Sequence, residues 1–96
     1  MYFSLSGSVR WQKRESMNCW INNGADSNDI YKLDLSLAEC QAACEIDVTC
    51  EGIVVDKGTE GRCYKRGNIQ LEKCKTFDQF NLFIMSTGME ENKVRT

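Results

Sequence analysis

The chain of 96 residues contains no histidine. Histidine is the usual general base near neutral pH, so its absence excludes the Ser-His-Asp and Cys-His arrangements of nucleophilic enzymes. The sequence also lacks a glycine-rich phosphate-binding motif. The acidic residues follow no motif that would bring two carboxylates into one cleft. We therefore expect a protein that is not an enzyme and that has no catalytic residues.

Long apolar runs are also missing. Gly52–Val55 and Leu82–Met85 are the longest, whereas a helix that crosses a bilayer needs about 20 apolar residues. We expect no transmembrane segment. The N-terminus has neither a basic start nor a long apolar core, so we expect that it is not a signal peptide and that an exported chain would be a mature form.

Cysteine, in contrast, is abundant. The chain contains six cysteines, and an even number at short, uneven spacings is typical of a disulfide framework. Zinc sites usually use paired short spacings of cysteine or histidine, and no second close pair follows Cys40 and Cys44. The stretch Gly24–Asp29 is rich in oxygen ligands but lacks a calcium-loop pattern. We predict three disulfides, no metal, no cofactor, and an extracellular location or the lumen of an oxidising compartment.

The length is that of one domain, and we expect the two ends of the chain to lie outside its core. Apolar residues alternate with serine and arginine over residues 3–11, which predicts a strand with one buried face. Residues 1–16 are thus an N-terminal extension with a strand, residues 17–85 the main domain, and residues 86–96 a solvated tail. Four apolar side chains of the extension are candidates for docking on a partner: Phe3, Leu5, Val9 and Trp11.

A helix start is the clearest local signal. Ser36 and Glu39 form an S-x-x-E capping box, in which the two side chains satisfy free backbone amides at the start of a helix. The helix is expected to run from Leu37 to about Ile46. Spacings of three and four residues place Leu37, Cys40, Ala43 and Cys44 on one face, which directs both cysteines at the core.

The rest of the main domain has the pattern of an antiparallel sheet. Gly52–Val55 and Cys63–Arg66 predict a hairpin, because two short strand-like runs flank a connection that contains glycine. A piece around Ile69–Leu71 and a last strand over Phe80–Met85 would complete the sheet. The expected fold class is α+β, a small disulfide-rich domain whose antiparallel sheet packs on one α-helix.

The cysteine-bearing helix resembles that of the PAN/apple domain family. The resemblance rests on Ser36–Cys44, then Cys50 and Gly52–Val55, then Cys63–Tyr64, and it covers about residues 19–85. It departs from the family in the early position of Cys74, which a full strand still follows. The resemblance implies a central sheet that cradles one helix, and three disulfides: Cys40–Cys63, Cys44–Cys50 and Cys19–Cys74.

Charge is distributed unevenly along the chain. Residues 26–56 contain eight acidic residues and one basic residue, whereas residues 57–75 contain six basic and two acidic residues. A basic surface on the predicted hairpin would suit an acidic glycan or an acidic protein surface; the alternative is an ordinary solvated strand face. A nucleic-acid partner is disfavoured, because the net charge of the chain is −2 and no aromatic residues alternate with the lysine and arginine residues. The candidate ligand-binding residues are Lys57, Arg62, Tyr64, Lys65 and Arg66.

Two functions therefore remain open. The resemblance implies a non-catalytic recognition module that binds a protein or a carbohydrate. The alternative is a structural accessory subunit that docks permanently on a larger multi-subunit assembly, and the additional N-terminal strand motivates it.

Overall fold

The computed structural model describes residues 9–26, 30–32, 35–58 and 62–86. Phe3 and Leu5 lie outside these residues, as does the predicted tail from residue 87 onward. The chain forms strands, one α-helix and one 3-10 helix over the described ranges. They are β1 (Arg10–Arg14), β2 (Met17–Asn18), β3 (Trp20–Ile21), β4 (Gly24–Ala25), β5 (Ile30–Lys32), α1 (Leu37–Glu45), β6 (Gly52–Asp56), β7 (Cys63–Arg66), the 3-10 helix (Leu71–Lys73), β8 (Lys75–Thr76) and β9 (Phe80–Ser86).

A five-stranded sheet with the order β1-β9-β6-β7-β5 is the centre of the fold, and all of its neighbours are antiparallel. The predicted hairpin is confirmed as β6 and β7, and the predicted last strand as β9. The N-terminal strand extends this sheet, because β1 pairs with β9. Its bounds differ from the prediction, because the strand continues through Lys13 and Arg14 and a turn follows at Glu15 and Ser16.

The helix begins where the capping box predicts. Ser36 Oγ accepts a hydrogen bond from the Glu39 amide at 3.1 Å, and Glu39 Oε1 accepts one from the Ser36 amide at 2.9 Å. The helix packs on β6 and β7 and buries Cys40 and Cys44. Leu37, which was expected on the same face, is instead exposed at the first helical position.

Both faces of the sheet are covered. On the helix side, Ile53 is fully buried among the disulfides Cys40–Cys63 and Cys44–Cys50. On the opposite side, Val54 and Leu82 pack around the disulfide Cys19–Cys74. These three pairs are the ones that the PAN/apple resemblance implies. Because successive strand residues face opposite sides, neighbouring Ile53 and Val54 enter two separate cores.

The second layer contains β2, β3, β4, the 3-10 helix and β8. The prediction of a sheet strand at Ile69–Leu71 is wrong. Gln70 N donates to Gly24 O at 2.8 Å, and Leu71 begins a 3-10 helix, after which Cys74 N donates to Leu71 O at 3.1 Å. Gly24 is the only described glycine with a positive φ, 94°, and a Cβ there would lie 2.6 Å from Cys74 Sγ. A side chain at position 24 would therefore collide with the disulfide.

Candidate functional site

The structure divides the predicted basic surface between the two faces of β7. Lys65 lies opposite Ile53, on the helix side. Tyr64 and Arg66 alternate with it and belong to the other side, where Tyr64 packs against the second core. Arg66 is only 4% exposed, donates a hydrogen bond from Nε to Cys19 O, and lies 5.1 Å from the centre of the Tyr64 ring. Arg66 thus has a structural position.

The other two basic residues of the predicted ligand-binding surface do not extend it. Lys57 is exposed, and its Nζ donates to Ser16 Oγ at 3.2 Å. Arg62 is half-buried, and its Nε is buried without a hydrogen-bond acceptor in the described part of the chain. The five residues Lys57, Arg62, Tyr64, Lys65 and Arg66 therefore do not form one continuous surface.

Trp11, a predicted docking residue, ties the edge strand to the helix. It is half-buried against the helix-side core, and its indole Nε1 donates to Glu45 Oε2 at 2.9 Å. This bond joins β1 to the last residue of α1. Val9 is half-buried just before the strand. Of the four predicted docking residues, the two that the structure describes are partly covered within the domain.

Among the residues that the structure describes, the strongest exposed apolar feature is the loop that the Cys44–Cys50 disulfide closes. We call residues Glu45–Thr49 the disulfide loop. Ile46 is 85% exposed and Val48 is fully exposed. Exposed aliphatic side chains are common singly, but two on one short, closed segment form a small apolar projection.

Asp47, between these two residues, is directed back to the protein. Its Oδ2 lies 2.5 Å from Lys65 Nζ, and its Oδ1 accepts hydrogen bonds from the backbone amide and the hydroxyl of Thr49, at 3.0 and 2.8 Å. The Cys50 amide donates to Asp47 O at 2.9 Å. The loop is therefore fixed at both ends and at its centre, so its conformation costs little entropy on binding.

The same contacts change the acidity of Asp47. The hydrogen bond from Lys65 is the largest cause, followed by those from Thr49, and together they lower the pKa of Asp47 from 3.8 to about 2. The carboxylate is thus charged at physiological pH and keeps its partners.

Sequence reasoning did not identify Ile46 and Val48 as a surface. A signal was present: two aliphatic residues occur in the segment of five residues between Cys44 and Cys50. A ring this short leaves no room for every side chain to turn inward.

Two clefts adjoin the sheet near this loop. The first, which we call the amide cleft, has a volume of about 380 Å³ and is lined mainly by Ile21, Asn22, Asp26, Asn68, Gln70 and Lys73. The second, of about 270 Å³, is lined by Asp26, Asp47, Thr49, Lys65, Arg66 and Gly67. Asp26 borders both clefts, so together they extend from the disulfide loop across the end of β7.

Gly67 allows the close approach on which this arrangement depends. A Cβ at position 67 would lie 2.5 Å from the carbonyl oxygen of Thr49 and 3.1 Å from Asp26 Oδ1. The Asp26 amide donates to Gly67 O at 3.2 Å. The backbones on either side of Gly67 are therefore in contact, and the disulfide loop lies beside the clefts.

The chain matches no family model, no curated protein and no solved structure. Among the described residues, no group of three or more cysteine, aspartate or glutamate side chains is placed to hold a metal ion. No helix in the described ranges is long and apolar enough to cross a membrane.

Proposed function

We propose that this chain is a non-catalytic recognition domain of the PAN/apple type, and that it binds a protein partner through the disulfide loop. The observation that carries the proposal is the exposure of Ile46 and Val48 on a loop fixed by a disulfide and by the Asp47–Lys65 pair. Three disulfides fit an oxidising compartment. The absence of histidine supports a role without nucleophilic catalysis of the His-dependent kind.

The chemistry of the loop favours a protein surface as the partner. Burial of an isoleucine or valine side chain contributes about 1.5–3 kcal/mol, and a rigid apolar anchor entering a pocket is a common source of binding energy at protein interfaces. Ile46 and Val48 are adjacent anchors of this kind.

The charge around the loop indicates what borders the partner's pocket. Within the loop, Asp47 is paired with Lys65, so the further negative charge beside the loop comes from its acidic neighbours. Glu45 and Glu51, at the two ends of the loop region, are both exposed. Electrostatic complementarity therefore favours a partner with an apolar pocket that lysine or arginine residues surround.

Site-specific photo-crosslinking of the protein in an oxidising cellular compartment tests this proposal. A benzoylphenylalanine in place of Val48 is expected to give one discrete protein adduct. Excess wild-type domain should abolish the adduct, whereas excess of the double variant Ile46→Asp, Val48→Asp should not. The same probe in place of Glu72, an exposed residue of the 3-10 helix, is the matched control and should give no such adduct. An adduct of equal yield at both positions would overturn the proposal.

The crosslink also distinguishes the recognition module from the permanently docked accessory subunit. A module in exchange with its partner should lose the adduct when wild-type domain is added before illumination. A permanent subunit should keep it, because the incorporated domain does not exchange on the time scale of the experiment.

A further inference from the structure

The amide cleft has a rigid backbone floor. Gly24 O accepts a hydrogen bond from the Gln70 amide at 2.8 Å, and Asp26 N donates to Gly67 O. The Cys19–Cys74 disulfide lies directly behind Gly24. The volume of about 380 Å³ is at the lower end of the range of about 300–1,000 Å³ that is typical of ligand pockets. A small ligand would therefore meet a preformed surface.

The side chains around this floor are rich in carboxamides. Asn22, Asn68 and Gln70 each carry two amide donors and one carbonyl acceptor. Within the described ranges, these three side chains make no hydrogen bond to the protein. Among the lining residues that the structure describes, Asp26 and Lys73 add one charge of each sign, so this part of the lining is neutral.

We propose that the amide cleft binds a neutral sugar, such as the terminal residue of a glycan chain. Neighbouring sugar hydroxyls both donate and accept, which matches the paired donors and acceptor of a carboxamide. A phosphate or sulfate would meet a carboxylate as well as a single ammonium group. An apolar ligand would leave the three amides without partners, which costs free energy.

Ile21 supplies the apolar contact that the C–H face of a sugar requires. It is 44% exposed and lines the cleft beside Asn22. The proposal does not depend on the protein contact of the disulfide loop, since different residues carry it.

The backbone at the two asparagines allows a precise test. Asn22 and Asn68 have φ values of 67° and 51°, in the left-handed region that glycine adopts without strain. The double variant Asn22→Gly, Asn68→Gly therefore removes two carboxamides while the backbone conformation is retained. Ser16 has a φ of 56° and lies outside the cleft, so Ser16→Gly is the matched control for the change to glycine.

Heteronuclear NMR of the full chain measures binding directly. Neutral monosaccharides (glucose, galactose, mannose and N-acetylglucosamine) are titrated in turn, and a printed glycan array extends the set. At least one neutral sugar is expected to shift the amide signals of residues 22–26 and 68–73. Its affinity should fall at least tenfold in Asn22→Gly, Asn68→Gly and stay unchanged in Ser16→Gly.

Three results would overturn the inference: no neutral sugar shifts these signals at millimolar concentration, the asparagine variant binds as well as wild type, or acidic sugars bind in preference. The double variant Ile46→Asp, Val48→Asp should retain sugar binding. A failure of the sugar-binding proposal is therefore distinguishable from a failure of the protein-binding proposal.

Discussion

Asp47 Oδ2 and Lys65 Nζ lie 2.5 Å apart and join the centre of the disulfide loop to strand β7. The side chains of both residues are about one quarter exposed. The pair is formed between a helix-to-strand connection and the sheet, so it orders the loop without depending on the helix itself. Acidification protonates Asp47 and thereby removes this contact.

The first prediction concerns the pKa of Asp47. Folding lowers this pKa from 3.8 to about 2, so the stabilisation is complete above pH 3.8 and is lost as the pH falls towards 2. In Lys65→Met, the pKa of Asp47 should rise towards 3.8. Carboxyl-carbon NMR titration measures it directly.

Thr49→Val is the graded control, because it removes the hydroxyl donor and keeps the backbone amide donor. The rise in the pKa of Asp47 should be smaller than in Lys65→Met, since Lys65 is the largest cause of the shift. An Asp47 pKa that does not change in Lys65→Met would contradict the structural assignment of the pair.

The second prediction ranks two of the disulfides. Cys19–Cys74 closes a chain separation of 55 residues and Cys44–Cys50 one of 6. On the chain-entropy account, replacing the first pair by alanine should cost about 4 kcal/mol in the free energy of unfolding, and replacing the second about 2 kcal/mol. Denaturant unfolding of the two double variants measures both values. The reverse order would show that native-state effects, rather than ring size, dominate.

The third prediction compares two valines. Val48 is fully exposed and Val54 is 1% exposed. Val54→Ala should lower the free energy of unfolding by about 2 kcal/mol, because two buried methyl groups are removed from a packed core. Val48→Ala should change it by less than about 0.5 kcal/mol. Equal losses would mean that Val48 is covered within the domain in solution.

The fourth prediction concerns the contact between Gly67 and Thr49. Gly67→Ala places a methyl group 2.5 Å from Thr49 O, so the backbones must separate, and we expect a destabilisation of about 1–3 kcal/mol. Gly58→Ala is the matched control, since the nearest atom there is Asp56 Oδ1 at 3.5 Å, an ordinary contact. Thermal unfolding measures the stability of both variants. Equal stability of Gly67→Ala and Gly58→Ala would show that the contact between Gly67 and Thr49 is not tight in solution.

Local signals predicted the helix and the central strands of the sheet, but not the short strands of the second layer. The capping box located the helix, because the hydrogen bonds of Ser36 and Glu39 are fixed by three residues of spacing. Alternating and β-branched runs located β6 and β9. The piece at Ile69–Leu71 was misassigned, since its backbone is held by the covalent link of Cys74 to Cys19 and by bonds to Gly24. Such long-range constraints leave no local pattern in the sequence.

The candidate sites were harder to predict. Lys65 and Arg66 are adjacent in sequence, but a strand directs neighbours to opposite faces, so a count of consecutive charges overstates a surface. The amide cleft joins residues 21–26 with residues 68–73. These two segments come together only when the second layer folds. Their amino-acid composition by itself indicates turns and no binding site.

The pairing of Arg10 with Ser86 has a mechanical consequence. The chain enters and leaves the described sheet at neighbouring positions, so tension applied at both ends would load the β1–β9 ladder one hydrogen bond at a time, as in a zipper. Among the described strands, β1 pairs only with β9, and it would peel first. The Cys19–Cys74 ring would then stop further extension, because the 55-residue separation it closes holds both clefts and the disulfide loop. Under load, the edge of the sheet is expected to yield while the two clefts and the disulfide loop keep their shape.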